Sequence, residues 1–268
     1  MDWGEINYKA VITVIMLGFA GMEVIAHTFI DWRRTRARDL FIEALATLSI
    51  TLLTVPTIFW LVDWLMRAAS PELENAWAGL PWWAMLGILL VADDLTQYGW
   101  HRASHAHPLL YNLHRAHHTA EYMSVRIVYR NNLFYYWLMP GLWLSAILVY
   151  MGFGPVYVPY VIVKMTVITG AHSSVRWDAW MYRHPVTARI MWVLERVIST
   201  PATHSAHHGK FAADPATHYH GNYGNLLFFW DVLFGTARIT RRYPERYGVE
   251  QEAERSWQAE LLWPFVRR

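Results

Sequence analysis

Fourteen histidines stand in this 268-residue sequence, and six of them fall within "WHRASHAHPLLYNLHRAHHTAE", residues 100–121. Two reactive spacings recur. His101 and His105 form HxxxH, His114, His117 and His118 form HxxHH, and "THSAHH" repeats HxxHH through His204, His207 and His208. With histidine at one residue in about twenty, HxxHH arises by chance in a chain this long about 0.04 times, so two copies beside an HxxxH need a cause. A purely structural cluster of eight imidazoles is a poor one: protonated they repel, and buried they satisfy few partners. Metal binding is a good one. Positions three and four apart on a helix lie about 5–6 Å from each other on one face, close enough for neutral imidazoles to converge on ions about 3.5–4 Å apart. Eight imidazoles exceed the demand of one tetrahedral or octahedral ion, which points to two metals.

Helices must hold these rings in register. Asp94, Tyr98, His101 and His105 follow at i, i+4, i+7 and i+11, a single helical stripe, so Asp94 and Tyr98 are expected to orient imidazoles through their free ring nitrogens. Pro108 should end that helix at or before His107, and a second helix then carries His114, His117 and His118. Glu121, seven residues beyond His114, shares that stripe; it is a candidate carboxylate ligand or hydrogen-bond partner, with a solvated helix residue as the alternative.

These helices grow out of an apolar chain. Aliphatic and aromatic residues make up 54% and charged residues only 16%, leaner in charge than soluble domains. The surplus lies in runs over 8–30, 40–66, 80–95, 132–151 and 155–169. A span needs about 20 residues, so the first, second and fourth suffice outright, while the third and fifth suffice only if they extend into their polar ends. Many of the sixteen tryptophans and fifteen tyrosines sit at the ends of these runs, Trp60, Trp64, Trp82, Trp83 and Trp100 among them, where headgroups favour amphipathic rings. "MDWGEINYKA" is acidic, unlike a cleavable signal. Arg33, Arg34, Arg36 and Arg38 crowd the first connection and the second is net acidic, which puts the first in the cytoplasm. By alternation, both histidine regions then fall on the cytoplasmic side, with a hairpin turning at "MGFGP". The fold class expected is all-α: a polytopic membrane protein of four or five spans with a cytoplasmic helical cap carrying the histidine boxes. No linker or low-complexity segment divides the chain, so residues 1–268 read as one domain, with spans over 1–80 and the catalytic region over 94–239. A lone net charge of +2 is no sign of nucleic-acid binding, and the absence of cysteine excludes disulfides, thiolate haem and iron–sulfur clusters.

In the order and spacing of "HRASH", "HRAHH" and "HSAHH", and in "HPLLYNLHRAHH", "TPATHSAHH" and "NYGNLLFFWDVLFGTA", the sequence resembles the fatty acid hydroxylase and sterol desaturase superfamily of membrane di-iron oxygenases. The likeness runs from about Asp94 to Ile239. Family members use one more histidine in a short "HSN", which maps to His172 in "GAHSSVRW"; here Ser174 stands at the asparagine position. The resemblance implies nine metal ligands (His101, His105, His114, His117, His118, His172, His204, His207 and His208), two iron ions, a lipid substrate, dioxygen, and an external electron donor, a reductase with a cytochrome or ferredoxin. Imidazole serves zinc or copper as well as iron, so zinc is the competing ion in purified protein. The activity implied is lipid hydroxylation, with desaturation or aldehyde decarbonylation as alternatives within the superfamily.

His27, His184, His218 and His220 lack such partners in sequence and read as ordinary histidines. "NLLFFWDVLFG" reads as an amphipathic or core helix, or else as a membrane-facing element near the substrate. The arginines of "TARITRRYPERYG" read as cytoplasmic charge near anionic lipid, or as a dock for an acidic electron carrier. A membrane metal transporter is the rival of another class, and it would need ligands along the span rather than beyond its end. A zinc peptidase would need HExxH, which is absent.

Overall fold

The computed structural model describes residues 7–251 and 253–267; the acidic start at residues 1–6 lies outside them. Among the described residues the secondary structure is helical, with one isolated antiparallel bridge between Gly209 and Tyr247.

Helix α1 (Tyr8–Ile25) begins where the Asn7 side chain accepts a hydrogen bond from the Ala10 amide. It runs beside α8 (Gly154–His172) in the same direction, with the Tyr8 ring against Tyr157 at one end and Glu23 bonded to Ser173 at the other. Helices α2 (Ala37–Leu48) and α3 (Val55–Ala69) are joined without a break by a π-helical turn at Ser49–Thr54. A second such turn, Leu90–Leu95, joins α4 (Trp82–Leu89) to α5 (Thr96–Ala106). The third apolar run therefore does continue into its polar end, as one helix about 37 Å long at 1.5 Å per residue.

Helix α7 (Pro140–Leu148) and α8 form the hairpin expected at "MGFGP". Gly152 turns the chain with φ of 106°, a conformation that side chains disfavour. A Cβ there would also lie 2.9 Å from Ala78. The loop before α4 clasps this turn, the Asn75 and Trp77 amides donating to Tyr150 O and Met151 O. Among the described residues three helices are long and apolar enough to cross a membrane: Tyr8–Ile25, Ala37–Ala69 and Pro140–His172. The last is bent back on itself at Gly152 into two arms, α7 and α8.

Met85, Leu89, Leu148, Phe153 and Tyr157 pack α4, α7 and α8 together, and Ile58, Val62 and Ala146 pack α3 on α7. The outer faces stay apolar and exposed, as at Leu17, Leu52, Trp60, Trp64 and Val163. So large an exposed apolar surface is costly in water and suited to lipid.

The shorter helices, here the cap, are α6 (Pro108–His118), α9 (Trp177–Met181), α10 (Pro185–Val197), α11 (Pro201–His207), α12 (Phe229–Phe234) and α13 (Trp257–Leu262). Buried ion pairs tie cap to bundle. Arg130 reaches Asp39 at 2.9 Å and Arg126 reaches Glu43 at 2.8 Å, both acids lying on α2. On α10, Val186, Ile190, Val193 and Val197 leave an exposed apolar stripe, and α12 exposes Phe229, Val232 and Leu233.

Candidate metal centre

The proline before each box does local work. Pro108 starts α6 after His107 has left the helix in an extended conformation, and Pro201 starts α11 behind a Thr200 cap. Each α6 and α11 box therefore lies in the last turn of a short helix, with its imidazoles facing the bundle. His101 and His105 come from α5 and His172 is the last residue of α8.

The nine histidines meet in two groups. His101, His105, His114, His118 and His207 bring one nitrogen each within 4.8 Å of one another, and His117, His172, His204 and His208 do the same. Each HxxHH box is shared. His114 and His118, one turn apart, join the five-histidine group while His117 between them joins the other; in the third box His204 and His208 pair off and His207 crosses over.

The nitrogens that face each other are Nε2 atoms. His105–His118 and His118–His114 are 3.1 Å apart and His207–His101 3.0 Å; in the second group His204–His172 is 2.8 Å, His208–His204 3.2 Å and His172–His117 3.3 Å. Two imidazole nitrogens held about 2.1 Å from one ion at a right angle lie about 3.0 Å apart. Hydrogen bonding does not account for the His207–His101 and His172–His117 approaches, one in each group, because the protons of both rings in each pair are engaged elsewhere. His101 Nδ1–H donates to Tyr223 O (2.7 Å), His207 to Gly221 O (2.7 Å), His117 to Ile127 O (3.0 Å), His172 to Ile168 O (2.8 Å) and His114 to Asn131 Oδ1 (2.8 Å). An oxygen acceptor at Nδ1 fixes the tautomer and leaves a bare lone pair on Nε2. Clustered lone pairs repel unless a cation lies between them, so the donor set fits a metal in each group. Burial first, then neighbouring imidazoles, push His114, His117, His118, His207 and His208 well below the ordinary imidazole range. They are neutral near pH 7, as metal binding requires.

Two expectations need correction, and for Glu121 the solvated alternative is the one that matches. Asp94 orients no imidazole: it accepts from Trp230 Nε1 (2.8 Å) and the Leu227 amide (3.2 Å). The π-helical turn that contains it changes the register on which the stripe depended. Tyr98 hydrogen-bonds Thr236 (2.9 Å) and stacks on Phe234. Glu121 lies past the end of α6, exposed, in an ion pair with Lys210 (2.8 Å). His27 and His184 are exposed, and His218 and His220 also stand outside both groups. Ser174, at the asparagine position, meets the Thr28 hydroxyl, and its amide donates to Glu23.

Sequence reasoning passed over the residues behind the ligands. The Asp231 carboxylate accepts from Tyr223 N (2.8 Å), Gly224 N (2.6 Å) and the Thr236 hydroxyl (2.6 Å), which shapes the turn whose carbonyls hold His101 and His207. The Asn222 amide braces the same turn through Thr203 O and Arg238 O. Behind the other group, buried Glu23 accepts from Ser124, the Val125 amide, Ser173 and the Ser174 amide. It thereby fixes both the turn bearing Ile127 and the residue after His172. A signal existed: a lone acid in "GFAGMEVIAH" or "FFWDVLFG" needs partners if buried.

Openings reach both histidine groups. A largely apolar cavity of about 580 Å³ runs between α1, the 47–55 segment and α8, and ends on His101, His114, His117 and His172, histidines of both groups. From the cap side a cleft of about 360 Å³ reaches His105 and His118 past Tyr111, Tyr219 and His220. His105 is the least buried of the nine.

Comparison with known proteins agrees. Alkylglycerol monooxygenase of Danio rerio is 25% identical over 61% of this chain and 31% of its own length. The ornithine lipid hydroxylase OlsE of Rhizobium tropici is 27% identical over 85% of this chain and 60% of its own, and the fatty acid hydroxylase vlmA of Lecanicillium sp is 30% identical over 62% and 46%. The chain thus spans between about a third and three fifths of the length of these relatives. No solved structure matches it significantly. Residues 86–236, more than half the sequence and all nine clustered histidines, match the profile of the fatty acid hydroxylase family, and the chain belongs to that family.

Proposed function

We propose that this chain is an integral membrane hydroxylase that inserts one oxygen atom from dioxygen into a lipid C–H bond, using two iron ions. The observation that carries the reading is the cavity: an apolar space the size of a lipid chain, closed at one end by imidazoles of both histidine groups. The relatives, named as lipid hydroxylases and monooxygenases, support the same class of substrate.

His101, His105, His114, His118 and His207 hold one ion and His117, His172, His204 and His208 the other. Bound there, the iron pair supplies dioxygen activation and C–H oxidation, for which no amino-acid side chain suffices. Net, a lipid C–H bond, dioxygen, two electrons and two protons give an alcohol and water. The chain's own part is to hold and to exclude. Carbonyls of Tyr223, Gly221, Ile127 and Ile168 keep five-membered rings aimed inward. Tyr135, stacked on His114 at 5.0 Å, and the apolar cavity wall keep bulk water from the reacting carbon. Electrons arrive by the cap-side cleft, where His105 lies nearest solvent, from a reductase with a cytochrome or ferredoxin.

The direction of the chain supports five crossings: α1, α2 with α3, α4 with α5, and the two arms of the α7–α8 hairpin. Arginine asymmetry puts the cap in the cytoplasm. Membranes containing the protein and a reductant should convert an endogenous lipid to an alcohol that carries label from isotopic dioxygen and none from isotopic water. An unlabelled alkene formed only with dioxygen moves the reading to desaturation; turnover without dioxygen refutes both.

A further inference from the structure

Deep in the apolar cavity, away from the histidines, lies a polar cluster that the metal centre does not use. Lys164 on α8 reaches Asp93 at 2.6 Å, and the Tyr160 hydroxyl reaches it at 2.9 Å. Both donate to one oxygen, Oδ2; Asp93 Oδ1 is buried with no partner. Two neighbours share that state: Ser145 Oγ on α7, in a residue 1% exposed, and Gln97 Oε1, one turn beyond Asp93 on α5. Asp93, Lys164, Gln97 and Ser145 all line the cavity.

An ion pair inside apolar spans is costly and marks a functional position. Leaving a buried acceptor unpaired is unfavourable, so three of them at one place in a cavity call for a ligand. Gly141 lets α7 approach this cluster closely, because a Cβ there would lie 2.9 Å from Asp93 Oδ1. We propose that this cluster binds a neutral hydrogen-bond-donating group of the lipid substrate, a hydroxyl or an amide N–H, and so sets which carbon faces the metals. Two of the free atoms are acceptors and the third is a hydroxyl, which asks for a donor from the ligand. A carboxylate brings no proton, and would set a second negative charge beside Asp93 when Lys164 already neutralises the first. Asp93 precedes His101 by the same eight residues that separate Lys164 from His172. Along two different helices the Asp93–Lys164 pair therefore sits about 12 Å before the ligands, with Gln97 about 6 Å before His101, and the carbon attacked lies within that range of the polar group. This deepens the proposed function, since it concerns the same cavity.

The test is a competition on the full-length, metal-loaded protein in detergent. Hexadecan-1-ol, hexadecanoic acid and hexadecane are offered at equal concentration, at a pH where the acid is ionised, and bound species are counted by native mass spectrometry. The alcohol should exceed each competitor about tenfold, equivalent to about 1.4 kcal/mol. Ser145→Ala and Gln97→Leu, which remove groups without partners, should together cut that preference at least threefold with alkane binding unchanged. A wild-type preference under threefold, or one for the acid, overturns the proposal, as does an unaltered preference in the double variant. Should the double variant not fold, the wild-type comparison decides alone. No turnover is needed: binding of the alcohol without hydroxylation retains this inference and refutes the proposed activity, and hydroxylation without the preference does the reverse.

Discussion

Asp231→Asn separates the two halves of the metal centre. The carboxylate accepts three hydrogen bonds, two on Oδ1 and one on Oδ2: two hold the turn at residues 221–224 and the third holds the Thr236 hydroxyl. An amide keeps one acceptor oxygen; whichever way it turns, its NH₂ confronts a backbone N–H or the Thr236 hydroxyl. Losing one bond to a charged group costs about 1.5–3 kcal/mol, and stranding its buried donor about 1 kcal/mol more, so destabilisation of about 2–4 kcal/mol is expected. The same turn presents Tyr223 O to His101 and Gly221 O to His207, both in the five-histidine group. Loss of such supporting contacts lowers metal affinity about 10–100-fold. The four-histidine group leans on Ile127 O and Ile168 O instead and should be spared. The assay is metal content after dialysis against chelators of graded strength: wild type should release its ions together, whereas the variant should give up one first and pass through a plateau of one ion per chain. His184→Ala, at an exposed position, is the control. Parallel loss of both ions, or a release curve unchanged from wild type, refutes the reasoning. Thr236→Val is the milder form, should the asparagine variant not fold.

Glu23→Gln should give the mirror result, weakening the His117–His172 side first, because its four donors fix the Ile127 turn and Ser173; early loss from the five-histidine side would contradict it. Gly152→Ala should lower stability by about 1–3 kcal/mol through its positive φ, and more through the contact with Ala78, read as a drop in the thermal midpoint in detergent; an unchanged midpoint would mean that the hairpin turn is not as described. Metal-free protein should lose stability on acidification. His207 and His208 have folded-state pKa values depressed by burial, so their contribution is complete above the unfolded value near 6.5 and falls by about 1.4 kcal/mol per histidine per pH unit below it. A midpoint flat down to pH 5 would count against neutral, buried rings. Reporters fused after Arg36 and His118 should read cytoplasmic and one in the 71–75 loop external; a histidine-box reporter on the external side would overturn the orientation.

The chemistry of this protein was legible wherever it was local. Spacing of three and four residues brings imidazoles to one helix face whatever surrounds the helix, and Pro108 and Pro201 break the chain by their own geometry. The length of an apolar run likewise bounds what can cross a bilayer. These features named all nine clustered histidines, the last of them, His172, only through a family resemblance, since a single histidine has no spacing to read. What tertiary structure alone decided was how the rings divide. His117 parts from His114 and His118 because α8 and α11 bring His172, His204 and His208 to its side, and nothing in HxxHH encodes that approach. The same holds for the partners of Nδ1. They are mostly carbonyls, which every residue carries, so only the path of the turns at 124–127 and 221–224 selects Ile127, Gly221 and Tyr223. Asp94 was misplaced for a related reason: a stripe drawn at 100° per residue assumes α-helix throughout, and the π-helical turn at Leu90–Leu95 interrupts it; Tyr98 keeps its register with His101 on α5 and is engaged instead by Thr236 and Phe234. Direction along a helix is a property of the backbone nearby, whereas the identity of the atom opposite depends on chain segments a hundred residues away.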